Sequence, residues 1–348
     1  MFPLIPNRKN NITPLQLKNA PDPKILFIVS LFNNEQFIQK SLQTIISQKG
    51  AWQKKILVID DGSRDQSVPK AQELARRHPE IQVLQQKHQG QAAALNLGLK
   101  KTKGYDFIAF VEADVKIERK WLQKNLPVFQ RPAIMGVGGS LKPFRKDKWI
   151  ARLAGWEIEY KLAHQPRCPV HLTSANVLYR ASIFQKIGQF HADLKNSSFD
   201  IEFNARVIRS GGRLVYNPGA EAWHHYKPTL LAFLKRSYAY ARFRPYLKGV
   251  TPYPYDHIIK LQIVLVSLTP IILLFAVIFN DSLLFFGFLL FAALYFLSTL
   301  PPMIWTLRRK KDRVMLLYPA ISILRNNVAL LGLGVGVLKY WQTLRRKK

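Results

Sequence analysis

The sequence predicts an α/β domain with a mostly parallel central sheet, followed by a C-terminal helical membrane module. Three observations predict it. Apolar, β-rich runs alternate with helical patterns early in the chain, several of those runs end in acidic residues, and two long uncharged stretches come later.

Residues 1–23 are polar and contain proline, and they read as an N-terminal extension lacking the apolar core of a signal peptide. Residues 24–30 (KILFIVS) form the first expected strand, and a helical pattern covers residues 36–48. Residues 55–60 (KILVID) form a second strand, with a helix expected over 68–77. Strands that are apolar throughout and alternate with helices indicate a sheet covered on both faces. The run 107–114 (FIAFVEAD) is a further buried strand ending in Glu112 and Asp114. Extended backbone sends alternate side chains to the same side, so both carboxylates can face one hard divalent cation. A solvated acidic turn is the other use of such a pattern. Ligands of parallel sheets bind at the carboxyl ends of the strands, which would bring Glu35, Asp61 and Asp114 into one crevice.

Four segments taken together carry a family resemblance. They are Phe32-Asn33 with Glu35, Val58-Ile-Asp-Asp-Gly-Ser63, His88-Gln-Gly-Gln-Ala-Ala-Ala-Leu-Asn96, and Glu112-Ala-Asp114. In this order they resemble the inverting glycosyltransferase family 2, whose nucleotide-sugar domain has the GT-A fold. The likeness covers roughly residues 24–225. It implies that Asp61 contacts the nucleotide base and that Gly90, Gln91 and Asn96 lie beside the nucleotide. It also implies that Asp114 holds a divalent metal, Mg²⁺ or Mn²⁺, on the donor diphosphate, with Glu112 at the ribose or the metal. The sequence departs from the family at Ser30-Leu-Phe-Asn33, where Pro-Thr-Tyr-Asn is usual, and at Gln91, where lysine is usual. Glu112 replaces the first aspartate of Asp-x-Asp, adding a methylene while keeping the charge.

The resemblance continues on the acceptor side. Thr173-Ser-Ala-Asn176 and Ser198-Phe-Asp-Ile-Glu202 match segments that imply Asn176 and Glu202 near the acceptor and Asp200 as catalytic base. A carboxylate that takes a hydroxyl proton as the glycosidic bond forms contributes about 10²–10⁴-fold. An aspartate there would also cap the helix that follows. The family's acid before this base is Phe199 here, and Glu202 could substitute in part. His224 or its neighbour His225, in Ala222-Trp-His-His-Tyr226, is implied as a metal or phosphate ligand through a neutral imidazole.

The chain changes character after Tyr226, closing an expected catalytic domain at 24–226. Residues 227–257 mix aromatics and leucines with Lys235, Arg236, Arg242 and Arg244, as an amphipathic interfacial segment does. Two transmembrane helices are expected within 258–307, since residues 263–279 and 283–306 carry no charge. Residues 308–348 comprise a basic loop, interfacial or re-entrant apolar helices interrupted by Arg325-Asn-Asn327, and a basic tail. The run Gly332-x-Gly334-x-Gly336 suits close helix packing. Residues 279–282 contain no Lys or Arg, whereas Arg308–Arg313 is strongly basic, which faces the catalytic domain to the cytoplasm.

A net charge of +31 raises nucleic acid as a partner, but no nucleic-acid motif accompanies it. Beyond residue 258 only Asp281 and Asp312 are acidic, so the basic excess beside the spans suits anionic membrane lipids instead. Cys168 is the sole cysteine, which excludes an internal disulfide or a cysteine zinc site. The resulting expectation is a multi-pass membrane glycosyltransferase acting in cell-envelope glycan synthesis. It would take a nucleotide-diphospho-sugar donor and a hydroxyl of a lipid-linked or surface glycan. The alternatives are a polyprenyl-phosphate glycosyltransferase and a catalytically decayed partner in glycan synthesis.

Overall fold

The structure is a computed structural model that describes residues 22–194, 198–247 and 256–345. Most of the N-terminal extension, the end of the interfacial segment at 248–255 and the last three residues of the basic tail lie outside those described.

The chain begins with β1 (Lys24–Leu31), α1 (Ile38–Ile46), β2 (Gln53–Asp60), α2 (Ser67–Arg77), β3 (Ile81–Gln85), α3 (Gln91–Leu99) and β4 (Phe107–Val111). It continues with β5 (Val115–Ile117), α4 (Trp121–Asn125), β6 (Ile134–Pro143), α5 (Trp149–Ala163) and β7 (Asn176–Arg180). The domain closes with α6 (Ser182–Ile187), α7 (Phe199–Arg209) and β8 (Arg213–His224). All eight strands join one sheet in the order β3-β2-β1-β4-β7-β6-β8-β5.

The period-two alternation of β1 builds both faces of the sheet. Ile25, Phe27 and Val29 pack with Ile38 and Leu42 of α1 and with Ala71 and Leu74 of α2. Leu26 and Ile28 face the other way, toward Ala92 and Leu95 of α3 and Phe203 of α7. Removing a buried aliphatic such as Ile28 would cost about 2–5 kcal/mol. A Cβ on Gly98 would lie 2.7 Å from Ile28 Cγ2, so glycine there lets α3 settle onto β1. That close approach brings the start of α3 over the end of β1.

The sheet is mixed, with four of its seven strand pairings parallel, β6 with β8 among them. β3, β2, β1 and β4 are mutually parallel, as the strand-helix alternation requires. β7 then runs antiparallel to both β4 and β6, and β5 runs antiparallel to β8. Beyond β4 the regular alternation of strand and crossover helix lapses, and with it the constraint that keeps neighbours parallel.

Four helices follow: α8 (Leu230–Phe243), α9 (Asp256–Ile278), α10 (Ser282–Lys310) and α11 (Tyr318–Arg345). Among the described residues, three stretches are long and apolar enough to cross a membrane: His257–Ile278, Ser282–Lys310 and Arg313–Thr343, with mean hydropathies of 2.6, 2.3 and 1.6. The first two contain residues 263–278 and 283–306 of the uncharged runs. In the third, α11 runs unbroken through Arg325-Asn-Asn327, and Arg325 and Asn326 are paired. Arg325 donates to Glu157 Oε1 of α5 at 2.5 Å, and Asn326 reaches Gln262 of α9 and Tyr295 of α10 at 3.3 and 3.1 Å. Burial alone would raise the Glu157 carboxyl, but Arg325 and Lys161 bring it down to about 2, so it stays ionised.

The same helix packs along α8. A Cβ on Gly332 would lie 2.5 Å from the Tyr238 carbonyl, and one on Gly336 would lie 2.2 Å from that of Arg242. Glycines four apart therefore let the two backbones touch, while a Cβ on Gly334 would meet nothing within 4 Å. Two further ion pairs fasten α5 to the chain around the end of α10: Lys310 to Glu159 at 2.5 Å and Arg152 to Asp312 at 2.6 Å. The basic cluster that follows the second span thus abuts the α/β domain.

Candidate active site

The carboxyl ends of β1, β2 and β4 open on one crevice. After β1, Asn33 takes a left-handed φ of 49°. Its side-chain oxygen accepts the Arg64 N–H at 2.9 Å, and its own N–H donates to Ser63 Oγ at 2.9 Å. Glu35 Oε2 accepts the Gln66 N–H at 2.9 Å. These bonds latch the loop after β1 to the loop after β2. Phe32 stays 41% exposed and stacks on His88, with ring centroids 4.4 Å apart.

Asp61, 3% exposed, organises the opposite wall of this pocket. Its carboxylate accepts the N–H groups of Gln89 and Gly90, each at 2.8 Å, and the Gln86 amide at 2.8 Å. His88 Nδ1 lies 2.9 Å from the same carboxylate. Gly90 adopts φ 102°, a conformation side chains rarely allow, where the loop turns into α3. Gln91 then reaches across the crevice, donating to Glu112 Oε1 at 2.9 Å and to Ser30 Oγ at 3.3 Å.

Glu112, Asp114 and His224 converge beyond Gln91. Their candidate ligand atoms all lie within 4.8 Å of one another. His224 Nε2 sits 3.4 Å from Asp114 Oδ1 and 3.7 Å from Glu112 Oε2. The strand pairing explains the convergence, since Val115 of β5 lies opposite His224 at the end of β8. Burial would raise the Asp114 carboxyl, but His224 and Lys227 nearby hold it below the usual carboxylate range. At 3.4 Å the His224 contact is not a well-formed hydrogen bond. Asp114 Oδ1 is accordingly buried without a hydrogen-bond partner, as is His224 Nδ1. A buried, unpartnered carboxylate oxygen beside a second carboxylate and an imidazole suits a divalent cation.

The sequence did not choose between His224 and His225; the structure does. The His225 ring is sandwiched between Phe37 and Phe144, with centroids 4.2 and 3.9 Å away, and its Nδ1 pairs with Asp147 at 2.9 Å. Only His224 joins the carboxylates.

Asp200 lies in the first turn of α7. One oxygen accepts the Ile201 N–H at 2.9 Å and the other faces the Ser174 N–H at 3.4 Å. Ser174 Oγ is 3.5 Å from Glu112 Oε1, so this serine spans the gap between Asp200 and the Glu112 cluster. Ser174 was not singled out from the sequence, because a serine in a loop carries no distinguishing pattern.

Three expected site residues are occupied elsewhere. Asn176 is fully buried, accepting from Trp121 at 2.6 Å and donating to the Ser140 carbonyl at 2.9 Å. It ties β7 to β6 and α4 from inside the core and reaches no acceptor. Asn96 spends both ends of its amide on the Phe190 backbone, at 2.8 and 3.0 Å, pinning α3 to the segment after α6. Glu202 forms a bidentate pair with Arg206, with contacts of 2.8 and 2.9 Å, instead of facing Asp200.

Residues 26–188 match the model for "Glycosyl transferase family 2". The match runs from β1 to α6 of the α/β domain and supports a family 2 glycosyltransferase. Among curated relatives it is 29% identical over 196 residues to the "Pre-mycofactocin glycosyltransferase" of Mycobacterium tuberculosis, covering 53% of this chain and 40% of that protein. The chain thus spans well under two thirds of that relative's length. It is 25% identical over 231 residues to a Methanococcus voltae protein, covering 62% of this chain and 71% of that one. That relative is named "Dolichyl N-acetyl-alpha-D-glucosaminyl phosphate 3-beta-D-2,3-diacetamido-2,3-dideoxy-beta-D-glucuronosyltransferase". Among solved structures it shares its fold with "Mannosyltransferase PcManGT from Pyrobaculum calidifontis in complex with GDP-Man and Mn2+". That match has a TM-score of 0.58 at 15% identity and covers 90% of this chain and 89% of the other.

Proposed function

We propose that this protein is a membrane-bound, inverting, metal-dependent glycosyltransferase. In this reading it moves a sugar from a nucleotide-diphospho-sugar to a hydroxyl of a lipid-linked or cell-surface glycan. The observation that carries the reading is the cluster of Glu112, Asp114 and His224, with Ser174 between Glu112 and Asp200. A divalent cation, Mg²⁺ or Mn²⁺, held by Asp114, Glu112 and His224 would neutralise the leaving diphosphate.

The chain's own residues do the rest. The nucleotide occupies the pocket between Phe32 and Asp61, bounded by the latched loops of Asn33 and Glu35 and by the turn at Gly90. Gln91 fixes Glu112 at the boundary between nucleotide and metal. Asp200 accepts the acceptor's hydroxyl proton as the new bond forms on the face opposite the departing diphosphate. The Methanococcus relative's name, a transferase acting on a dolichyl phosphate sugar, favours a lipid-linked acceptor. The basic cluster Arg308–Arg313 adjoins the α/β domain, and the connection between α9 and α10 has no basic residue, which supports a cytoplasmic active site beside anionic lipids.

The test is transfer from radiolabelled UDP-glucose, UDP-N-acetylglucosamine, UDP-galactose and GDP-mannose to a membrane-lipid extract. The full chain should label a lipid-extractable product from at least one donor, in a cation-dependent manner. A product that is only a single acid-labile lipid phosphate sugar would replace this reading with the polyprenyl-phosphate one. No transfer from any donor would favour a non-catalytic partner.

A further inference from the structure

Among the described residues, no carboxylate supports Asp200. The preceding residue, Phe199, is 3% exposed and packs edge-on against Phe190 at 5.3 Å, while Glu202 is committed to Arg206. The loop before β7 brings an imidazole instead. His171 Nε2 lies 3.9 Å from Asp200 Oδ2, the same oxygen that faces the Ser174 N–H.

A buried relay fixes which nitrogen of His171 carries the proton. Asn204, fully buried on α7, has one terminal atom 2.7 Å from the Leu172 carbonyl. A carbonyl oxygen only accepts, so that atom is the amide nitrogen. Asn204 Oδ1 then accepts the Tyr179 hydroxyl at 2.7 Å. The same amide nitrogen lies 3.3 Å from His171 Nδ1, which must therefore accept. A neutral ring with an accepting Nδ1 carries its hydrogen on Nε2, the nitrogen 3.9 Å from Asp200 Oδ2. At 3.9 Å the contact is longer than a hydrogen bond; a small rotation of the carboxylate closes it, as catalytic contacts commonly tighten when substrate binds.

We propose that His171 is a positioning residue for Asp200, its Nε2–H orienting the carboxylate in the place of the missing neighbouring acid. The inference rests on reading Asp200 as the base. With Nε2–H on Oδ2 and the Ile201 N–H on Oδ1, the carboxylate plane is fixed and one lone pair is directed at the incoming hydroxyl. His171 would act through Asp200, so its effect is expected on turnover.

Two substitutions separate the role from simple packing. The amide nitrogen of glutamine reaches where Nε2 does, so His171→Gln keeps a donor toward Asp200. Asparagine reaches only to Nδ1, so His171→Asn loses that donor. With the full chain in membranes and whichever of the four labelled donors supports transfer, His171→Asn should lower kcat about tenfold or more, the lower range for a hydrogen bond to a charged group. Its donor KM should stay within about twofold, and His171→Gln should remain within about threefold of the wild type. Equal kcat in wild type and His171→Asn, with Asp200→Asn crippled, would overturn the role of His171 and leave the base intact. Equal losses in the Gln and Asn variants would assign His171 to packing. Full activity of Asp200→Asn would remove the base reading itself.

Discussion

Asp114→Asn is expected to abolish sugar transfer while leaving the α/β domain folded. The side chain is 8% exposed and asparagine nearly matches it in size, so packing around it is preserved. What is lost is the charge on a buried oxygen that has no hydrogen-bond partner and therefore depends on a cation or on His224. Metal neutralisation of a leaving diphosphate is worth several kcal/mol, so the expected loss is about a thousandfold or more in rate. Glu112→Asp, in contrast, should retain activity, since it keeps the carboxylate and shortens it by one methylene. Transfer assays on the two variants, with membrane yield as a control for folding, check both statements. Wild-type rates for Asp114→Asn would remove the metal assignment.

Asp200→Asn is expected to lower turnover at least about a hundredfold, the lower end for losing general base catalysis. An acceptor alcohol has a pKa far above neutrality, so its proton must leave as the bond forms. Asparagine keeps an oxygen able to accept the Ile201 N–H, so α7 should start where it does now. Donor affinity should scarcely change, because Ser174 and Glu112 stand between Asp200 and the cluster. Steady-state kinetics with varied donor would reveal the split between kcat and KM. An acceptor that is already an anion, such as a lipid phosphate, gains nothing from this base, and survival of turnover would point to that chemistry.

Much of the site was legible because the strands announce their own ends. Apolar runs ending before Glu35, Asp61 and Glu112-x-Asp114 place those residues after the carboxyl ends of β1, β2 and β4. The fold class was legible for the same reason, although the antiparallel insertion of β7 followed from no local pattern. What resisted reading depends on partners far away in sequence. Arg325 looked like an interruption in an apolar segment because its partner Glu157 lies 168 residues earlier. Asn96 and Asn176 looked like ligand residues, yet each satisfies buried groups on other elements, which no single segment can disclose. His224 and His225 are adjacent, and only the pairing of β5 with β8 decides which one meets the carboxylates. His171 and Ser174 belong to a loop without periodicity, so only their positions beside Asp200 and Glu112 reveal them.

The central claim is that Glu112, Asp114 and His224 form a metal site serving a nucleoside diphosphate. Titration of the purified full-length chain with UDP and with GDP, in Mn²⁺ and in EDTA, tests it most directly. The account predicts that at least one nucleotide binds about tenfold tighter or better with the metal, one charge-stabilising contact being worth about that much, and that Asp114→Asn erases the difference. Equal affinity for both nucleotides with and without the metal in the wild-type chain would contradict it.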